Sequence, residues 1–255
     1  MIERIGIGWH VGVPSGWGTY GVNLCLQLAR RGIEPAILLA DVRVNLTESQ
    51  AAVLGPALAE HPKWNALVRE DQPRVDFPFL HALGNDLATS GLTAKVKGRP
   101  DIALVFFENA NISKDTLAQA ERFALIVTGS TWNADVLRRH GFNRVANCLQ
   151  GVDLDLFTPG PRTGRFRGRF AIFSGGKLEY RKGQDLVVAA FKKFYERHRD
   201  ALLVTAWHNP WPQVAKGLAV SPHVTGVPGV DKAGRLDVAR WLRENGLPPT
   251  AFFDI

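Results

Sequence analysis

Lys177, Arg181 and Lys182 crowd into one short stretch, Gly175-Gly-Lys-Leu-Glu-Tyr-Arg-Lys-Gly183. An apolar run, Phe170-Ala-Ile-Phe-Ser174, precedes them, and an amphipathic pattern from Gln184 to His198 follows. The spacing therefore predicts a buried strand, a cationic turn and a helix, in that order. A helix N-terminus carries partial positive charge and attracts carboxylates, so cations clustered there repel both the dipole and one another. Backbone amides and lysines together at such a point suit a phosphate group. The plainer alternative is a solvated loop whose lysines point into water.

A second stretch with chemical content is Trp9-His-Val-Gly-Val-Pro-Ser-Gly-Trp-Gly-Thr-Tyr-Gly21. A glycine-rich turn ahead of a helix lets backbone amides approach a phosphate or sugar closely, which makes Gly16 and Gly18 candidates. Gly16-x-Gly18-x-x-Gly21 also matches the dinucleotide fingerprint, with Asp41 after the next apolar run. In that fingerprint the first glycine closes the strand, whereas here several residues separate Ile7 from Gly16. A flexible turn is the alternative. Two further residues are candidates for catalysis. His81, in Leu80-His-Ala-Leu-Gly-Asn-Asp86, either touches substrate or is a histidine satisfied at a strand end. Glu108, after Phe106-Phe107, falls at an expected C-terminal strand edge, where open α/β sheets bind ligands. There it either holds ligand hydroxyls or is a solvated turn carboxylate.

The elements that must position these residues read as alternating strands and helices. Continuous apolar runs at residues 5–7, 36–40, 77–80, 102–107 and 125–128 fit strands buried on both faces of a parallel sheet. Tyr20 to Arg31 is a helix closed by Gly32, and Thr131 to His140 is another, with Ser130 or Thr131 as N-cap. This rhythm predicts an α/β doubly wound domain over residues 1–157. Residues 158–169 are rich in Pro, Gly and Arg without periodicity and read as a linker or surface loop. A second unit, 170–255, restarts the rhythm with strands at 170–174 and 201–206, a helix around 236–245 and a final strand-like apolar run at 251–255. Its few strands cannot close a sheet like the first, so it reads as incomplete.

In order along the chain, the motifs resemble those of retaining glycosyltransferase family 4, with its two-Rossmann GT-B fold. Gly16-Trp-Gly18 precedes a helix ending Leu28-Ala-Arg-Arg-Gly32. Val127-Thr-Gly-Ser-Thr-Trp-Asn133 and Gln150-Gly-Val-Asp-Leu-Asp-Leu-Phe-Thr-Pro159 follow. Gly176-Lys-Leu-Glu-Tyr-Arg-Lys-Gly183 matches the family's Gly-Arg-Leu-x-x-x-Lys-Gly. The resemblance covers essentially the whole chain and is firmest over residues 125–200.

The resemblance implies transfer of a sugar from a nucleotide-diphosphate donor to a saccharide or lipid-linked acceptor with retention, in cell-surface polysaccharide or glycoconjugate synthesis. Carried over, Lys177 and Lys182 grip the donor diphosphate, and Gly16 and Gly18 face it from the first domain. Lys177 stands where the family usually has Arg, which keeps the charge and loses the bidentate fork. The family's Glu-x7-Glu motif is absent, since no two glutamates of this chain are eight apart. The chain ends before the place where that motif would fall, so it reads as truncated in the donor domain. The family's functional histidine aligns with Leu83, two places beyond His81. Asp153 and Asp155 are expected to shape the crossing between domains. Asp153-Leu-Asp155 has the Asp-x-Asp spacing of the metal-dependent sugar transferases but is read with the domain crossing, so neither metal nor cofactor is implied. Rivals are a nucleotide-sugar epimerase, a non-catalytic nucleotide-sugar-binding module and an NAD-binding oxidoreductase.

Bulk composition constrains the rest. A chain of 255 residues with 45% hydrophobic and 22% charged residues has enough apolar matter for a real core. Its net charge of +7 is concentrated only at Arg162, Arg165, Arg167 and Arg169. That run reads as a solvated linker, with an anionic membrane surface and nucleic acid as alternatives. No nucleic-acid motif accompanies it, and the seven tryptophans lie scattered. Cys25 and Cys148 lack metal-ligand spacing or a disulfide framework. No signal-like or bilayer-length apolar run appears, so a cytoplasmic protein, possibly touching the inner membrane face, is expected.

Overall fold

Runs of β-branched and aliphatic residues without alternation bury both faces of a strand, and parallel pairing is the arrangement that tolerates this. The computed structural model describes residues 2–12, 15–40, 46–89, 91–154, 156–161 and 163–255. Asp41, Asp155 and Arg162 lie outside the described residues. The chain divides into two units, Met1–Thr158 and Pro159–Ile255.

In unit 1 the strands are β1 (Arg4–Val11), β2 (Glu34–Ala40), β3 (Phe79–Leu83), β4 (Asp101–Val105), β5 (Leu125–Thr128) and β6 (Val145–Asn147). They form one sheet in the order β2-β1-β3-β4-β5-β6, with every pair parallel. The helices are α1 (Gly16–Arg30), α2 (Glu48–Ala59), α3 (His61–Ala66), α4 (Lys114–Ala120) and α5 (Thr131–Arg139). Ile7, Val22, Leu26, Ile37 and Leu54 share one core cluster; Val105, Phe107, Phe123, Ile126 and Leu137 share another. Phe79 is wholly buried in a notch that only small residues could leave open. A Cβ at Gly6 would stand 2.3 Å from its ring, and one at Gly98 would stand 2.3 Å from its Cβ.

The apolar run at 77–80 belongs to a strand that starts later, at Phe79, and continues through His81 to Leu83. This shift puts His81 inside the strand rather than past its end. His81 is 2% exposed, and its Nε2 stands 2.8 Å from Asp101 Oδ1 on the neighbouring strand. Phe79 and Phe123 flank the ring at 4.8 and 5.4 Å. The pairing matches the second of the two readings of His81, a satisfied histidine, here within the core. Its partner carries the electrostatic signature of that pairing. Burial pushes the Asp101 carboxyl up, but hydrogen bonds from His81 and the Gly98 amide, with the charge of Lys97, hold it below its ordinary value.

Unit 2 contains β7 (Phe170–Gly175), β8 (Ala201–Ala206) and β9 (Phe252–Asp254), paired in that order and all parallel. Its helices are α6 (Gln184–Arg197) and α7 (Val238–Glu244), with a 3-10 segment at Pro212–Val220. The core gathers Leu178, Val188, Phe191, Leu203, Trp207 and Trp241. Ser221 donates to Asp185 at 2.6 Å, which fastens the segment after the 3-10 helix to the start of α6.

β7 departs from expectation. It is not a buried strand: Phe170 and Phe173 are 58% and 66% exposed, because β7 has one sheet neighbour among the described strands. The arginine run beside it is also more structural than a solvated linker. Arg169 donates to the carbonyls of Asp200, Ala201 and Thr250 at 2.9, 2.6 and 2.8 Å, and Arg165 stands 4.8 Å from the Phe253 ring centroid.

The His81–Asp101 pair generates a stability prediction. Asp101→Ala strands a buried imidazole and the Gly98 amide, so it should cost about 1–3 kcal/mol in urea unfolding at pH 7. Folding lowers the Asp101 pKa, so its contribution is complete above the unfolded carboxylate value of about 3.9 and is lost as pH falls through the lower folded value. The gap between wild type and variant should therefore close as unfolding is repeated at progressively more acidic pH, and a gap that persists there contradicts the assignment.

Candidate functional site

Strands that all run one way leave their following loops at one rim, which is where open α/β sheets hold ligands. In unit 2 that rim carries Gly176 and Lys177 after β7, and Trp207, His208 and Asn209 after β8. The loop from Lys177 to Glu179 is held through its backbone. Asn209 Nδ2 donates to the Leu178 carbonyl at 3.0 Å, and Gln184 Nε2 donates to the Lys177 carbonyl at 2.8 Å. Asn209 also accepts from the Trp211 amide at 3.0 Å, so one buried side chain links both loops of the rim.

The cations are arranged around a carboxylate. Lys177 Nζ stands 3.6 Å from Glu179 Oε1, and Arg181 Nε donates to Glu179 Oε2 at 3.3 Å. The cation sharing a carboxylate with Lys177 is thus Arg181. Glu179 is only 7% exposed, while the Lys177 and Arg181 side chains remain about half open to solvent. Lys177 Nζ also lies 5.1 Å from the centroid of Trp211, a cation–π contact. Lys182 is exposed and ends the 3-10 turn Tyr180–Lys182. Gly183 then adopts φ +72°, a left-handed conformation, and leads into α6 with no side chain capping its first amides. Half-exposed cations beside an uncapped helix N-terminus can bind an anion.

Glu179, Asn209 and Trp211 were not legible as site residues. Glu179 looks like a surface charge in a basic loop, and Asn209 is distant in sequence from the carbonyl it holds. Trp207 is wholly buried and donates to Ser174 Oγ at 3.0 Å. Trp211 is 44% exposed and sits on the rim.

In unit 1 the strand order changes direction at β1, whose neighbours are β2 and β3, so the loops after β1 and β3 flank the topological switch point. The glycine-rich stretch there is largely helical. Ser15 accepts from the Gly18 amide at 2.9 Å and caps α1, which begins at Gly16 rather than at Tyr20. The spacing Gly16-x-Gly18-x-x-Gly21 therefore lies inside α1, and Gly12, at φ +129°, closes the strand instead. A Cβ on Gly18 would lie 1.3 Å from the Gly12 carbonyl oxygen, and one on Gly21 would lie 2.9 Å from Trp9 Nε1. Close approach of α1 to β1 accounts for both glycines. Gly16 has nothing within 4 Å of its Cβ position.

Aromatic rings tie the same rim together. Trp17 lies 5.4 Å from Trp9 and 4.9 Å from Phe106, and Tyr20 lies 5.4 Å from Phe106. Burial, with a smaller contribution from Cys148, pushes the Tyr20 hydroxyl pKa up. Glu108 is exposed on the loop after β4, where its amide donates to Asn85 Oδ1 at 3.2 Å and so links the loops after β3 and β4. Asp153 accepts from Gln50 Nε2 at 3.3 Å, which joins the start of α2 to the segment after β6. Among the described residues, no three His, Cys, Asp or Glu side chains are grouped to hold a metal ion, and no helix is long and apolar enough to cross a membrane.

No protein-family model matches this chain, and no curated protein does. Solved structures do. A trehalose-6-phosphate synthase, solved in work on enzymatic glycosyltransfer with retention using bisubstrate glycomimetics, aligns with a TM-score of 0.52 at 11% identity, covering 99% of this chain and 72% of that one. S. aureus MnaA in complex with UDP aligns with a TM-score of 0.42 at 11% identity, covering 86% and 65% respectively. The first likeness shows the fold, α/β of the GT-B type with Rossmann-like parallel sheets.

The two glycines opening α1 should separate cleanly in mutagenesis. Gly18→Ala forces a clash with backbone and should cost more than about 3 kcal/mol by denaturant titration, in the range of severe overpacking. Gly16→Ala meets open space in a helix and should be neutral or stabilising by up to about 1 kcal/mol. Equal effects at the two positions would contradict the strand–helix contact described here.

Proposed function

We propose that this chain is a glycosyltransferase resembling retaining family 4, which moves a sugar from a nucleotide-diphosphate donor to a saccharide or lipid-linked acceptor in surface polysaccharide or glycoconjugate synthesis. The observation that carries this reading is the cation cluster on the C-terminal rim of β7, in the sequence Gly176-Lys-Leu-Glu-Tyr-Arg-Lys-Gly183. The GT-B-type fold supports it.

In this reading unit 2 takes the donor, and Lys177 and Lys182 contact its diphosphate beside the uncapped start of α6. Glycosyl transfer builds negative charge on the departing diphosphate, so fixed cations favour the transition state over the ground state. Unit 1 takes the acceptor, with Glu108 accepting hydrogen bonds from its hydroxyls. The cations supply the charge stabilisation themselves, so the reaction proceeds without a divalent metal or a cofactor. The enzyme works in the cytoplasm, at the inner membrane face when the acceptor is lipid-linked.

Ligand-induced thermal stabilisation tests the reading, because only a ligand preferring the folded state raises the midpoint. UDP or GDP should raise it and NAD should not. Lys177→Ala and Lys182→Ala should each weaken nucleoside-diphosphate binding by about 1.5–3 kcal/mol, roughly tenfold to a hundredfold in Kd by titration calorimetry. Stabilisation by NAD and by neither nucleoside diphosphate overturns it.

A further inference from the structure

We propose that Glu179 is a resident counter-ion of the cation cluster, whose carboxylate competes with the phosphate oxygens of an incoming ligand for Lys177 and Arg181. The inference rests on the diphosphate reading of the rim and concerns what sets the affinity of that site.

A buried carboxylate is costly unless it is paired and hydrogen-bonded. Glu179 is 7% exposed, yet its Oε1 accepts no hydrogen bond among the described residues, and Lys177 Nζ at 3.6 Å stands beyond good hydrogen-bond distance. Its Oε2 accepts from Arg181 Nε. The carboxylate thus faces two cations from the protein side. The Lys177 and Arg181 side chains are 42% and 53% exposed, so an anion can reach both from solvent. That anion arrives close to a fixed negative charge that does not leave, because Glu179 sits behind the cations. The carboxylate therefore opposes anion binding electrostatically while holding Lys177 and Arg181 near their places. A ligand rich in negative charge, such as a pyrophosphate, gains enough from two cations to overcome it.

The loop does not depend on the carboxylate for its shape. Asn209 and Gln184 hold the carbonyls of Leu178 and Lys177, and the Glu179 amide donates to Gln184 Oε1 at 3.5 Å. Glu179→Gln keeps the volume and removes the charge.

The experiment is titration calorimetry of the full chain with inorganic pyrophosphate at low and high salt. Glu179→Gln should tighten binding on the order of tenfold at low salt, with a smaller gain at high salt, since the difference is electrostatic. A purely structural glutamate would give the opposite sign, because its loss would loosen Lys177 and weaken binding. Lys177→Ala in the wild-type background is the control for the site itself. If Lys177→Ala weakens binding while Glu179→Gln leaves it unchanged or weaker, the counter-ion proposal falls and the diphosphate reading stands. If neither wild type nor Glu179→Gln binds pyrophosphate, both fall. Should Glu179→Gln fail to fold, Glu179→Asp, which withdraws the carboxylate from Lys177, must also tighten binding, and an unchanged affinity overturns the proposal.

Discussion

Parallel pairing is the constraint on which everything else in this molecule depends. Each strand must return to the same side before the next can begin, so every connection crosses over and all C-terminal strand ends share a rim. In unit 1 this gathers the turn after β1, Asn85 after β3 and Glu108 after β4. In unit 2 it gathers Lys177 and Asn209, far apart in sequence and joined through the Leu178 carbonyl. Neither rim could be assembled by an antiparallel meander, in which successive strand ends alternate sides.

The two rims differ in the chemistry they present. Unit 2 presents charge, balanced inside the protein by a carboxylate with little solvent around it. Unit 1 presents aromatic rings and a helix start, with glycines spent on packing. Gly18 and Gly21 let α1 lie against β1, so a glycine-rich signature here reports strand–helix distance as much as ligand contact.

Strands were legible wherever a run was long and continuously apolar, which covers β1 to β5 and β7 to β9 in outline. β6 was missed because it is a three-residue strand with half-buried residues. α2 was missed because Gly55-Pro56 falls inside it, although its capping box, Thr47 with Gln50, is a local start signal. α1 began four residues earlier than the pattern suggested, since serine capping and a close backbone fit carried helix through a stretch that reads as turn. At the site, Lys177 and Lys182 could be picked out because cations at a helix start violate dipole preference. Glu179 could not be, because burial between two cations is a property of the folded loop and leaves no periodic trace.

Arg169 has a role that reaches past its own loop. Its guanidinium holds three carbonyls, at Asp200, Ala201 and Thr250, close to where β7, β8 and β9 each begin. The end of the sheet away from the cation rim is thus buckled by a planar fork with several donors. A lysine there would carry the same charge with a single ammonium and could not span the three acceptors, so a substitution that looks conservative on paper would unbuckle all three strands at their base.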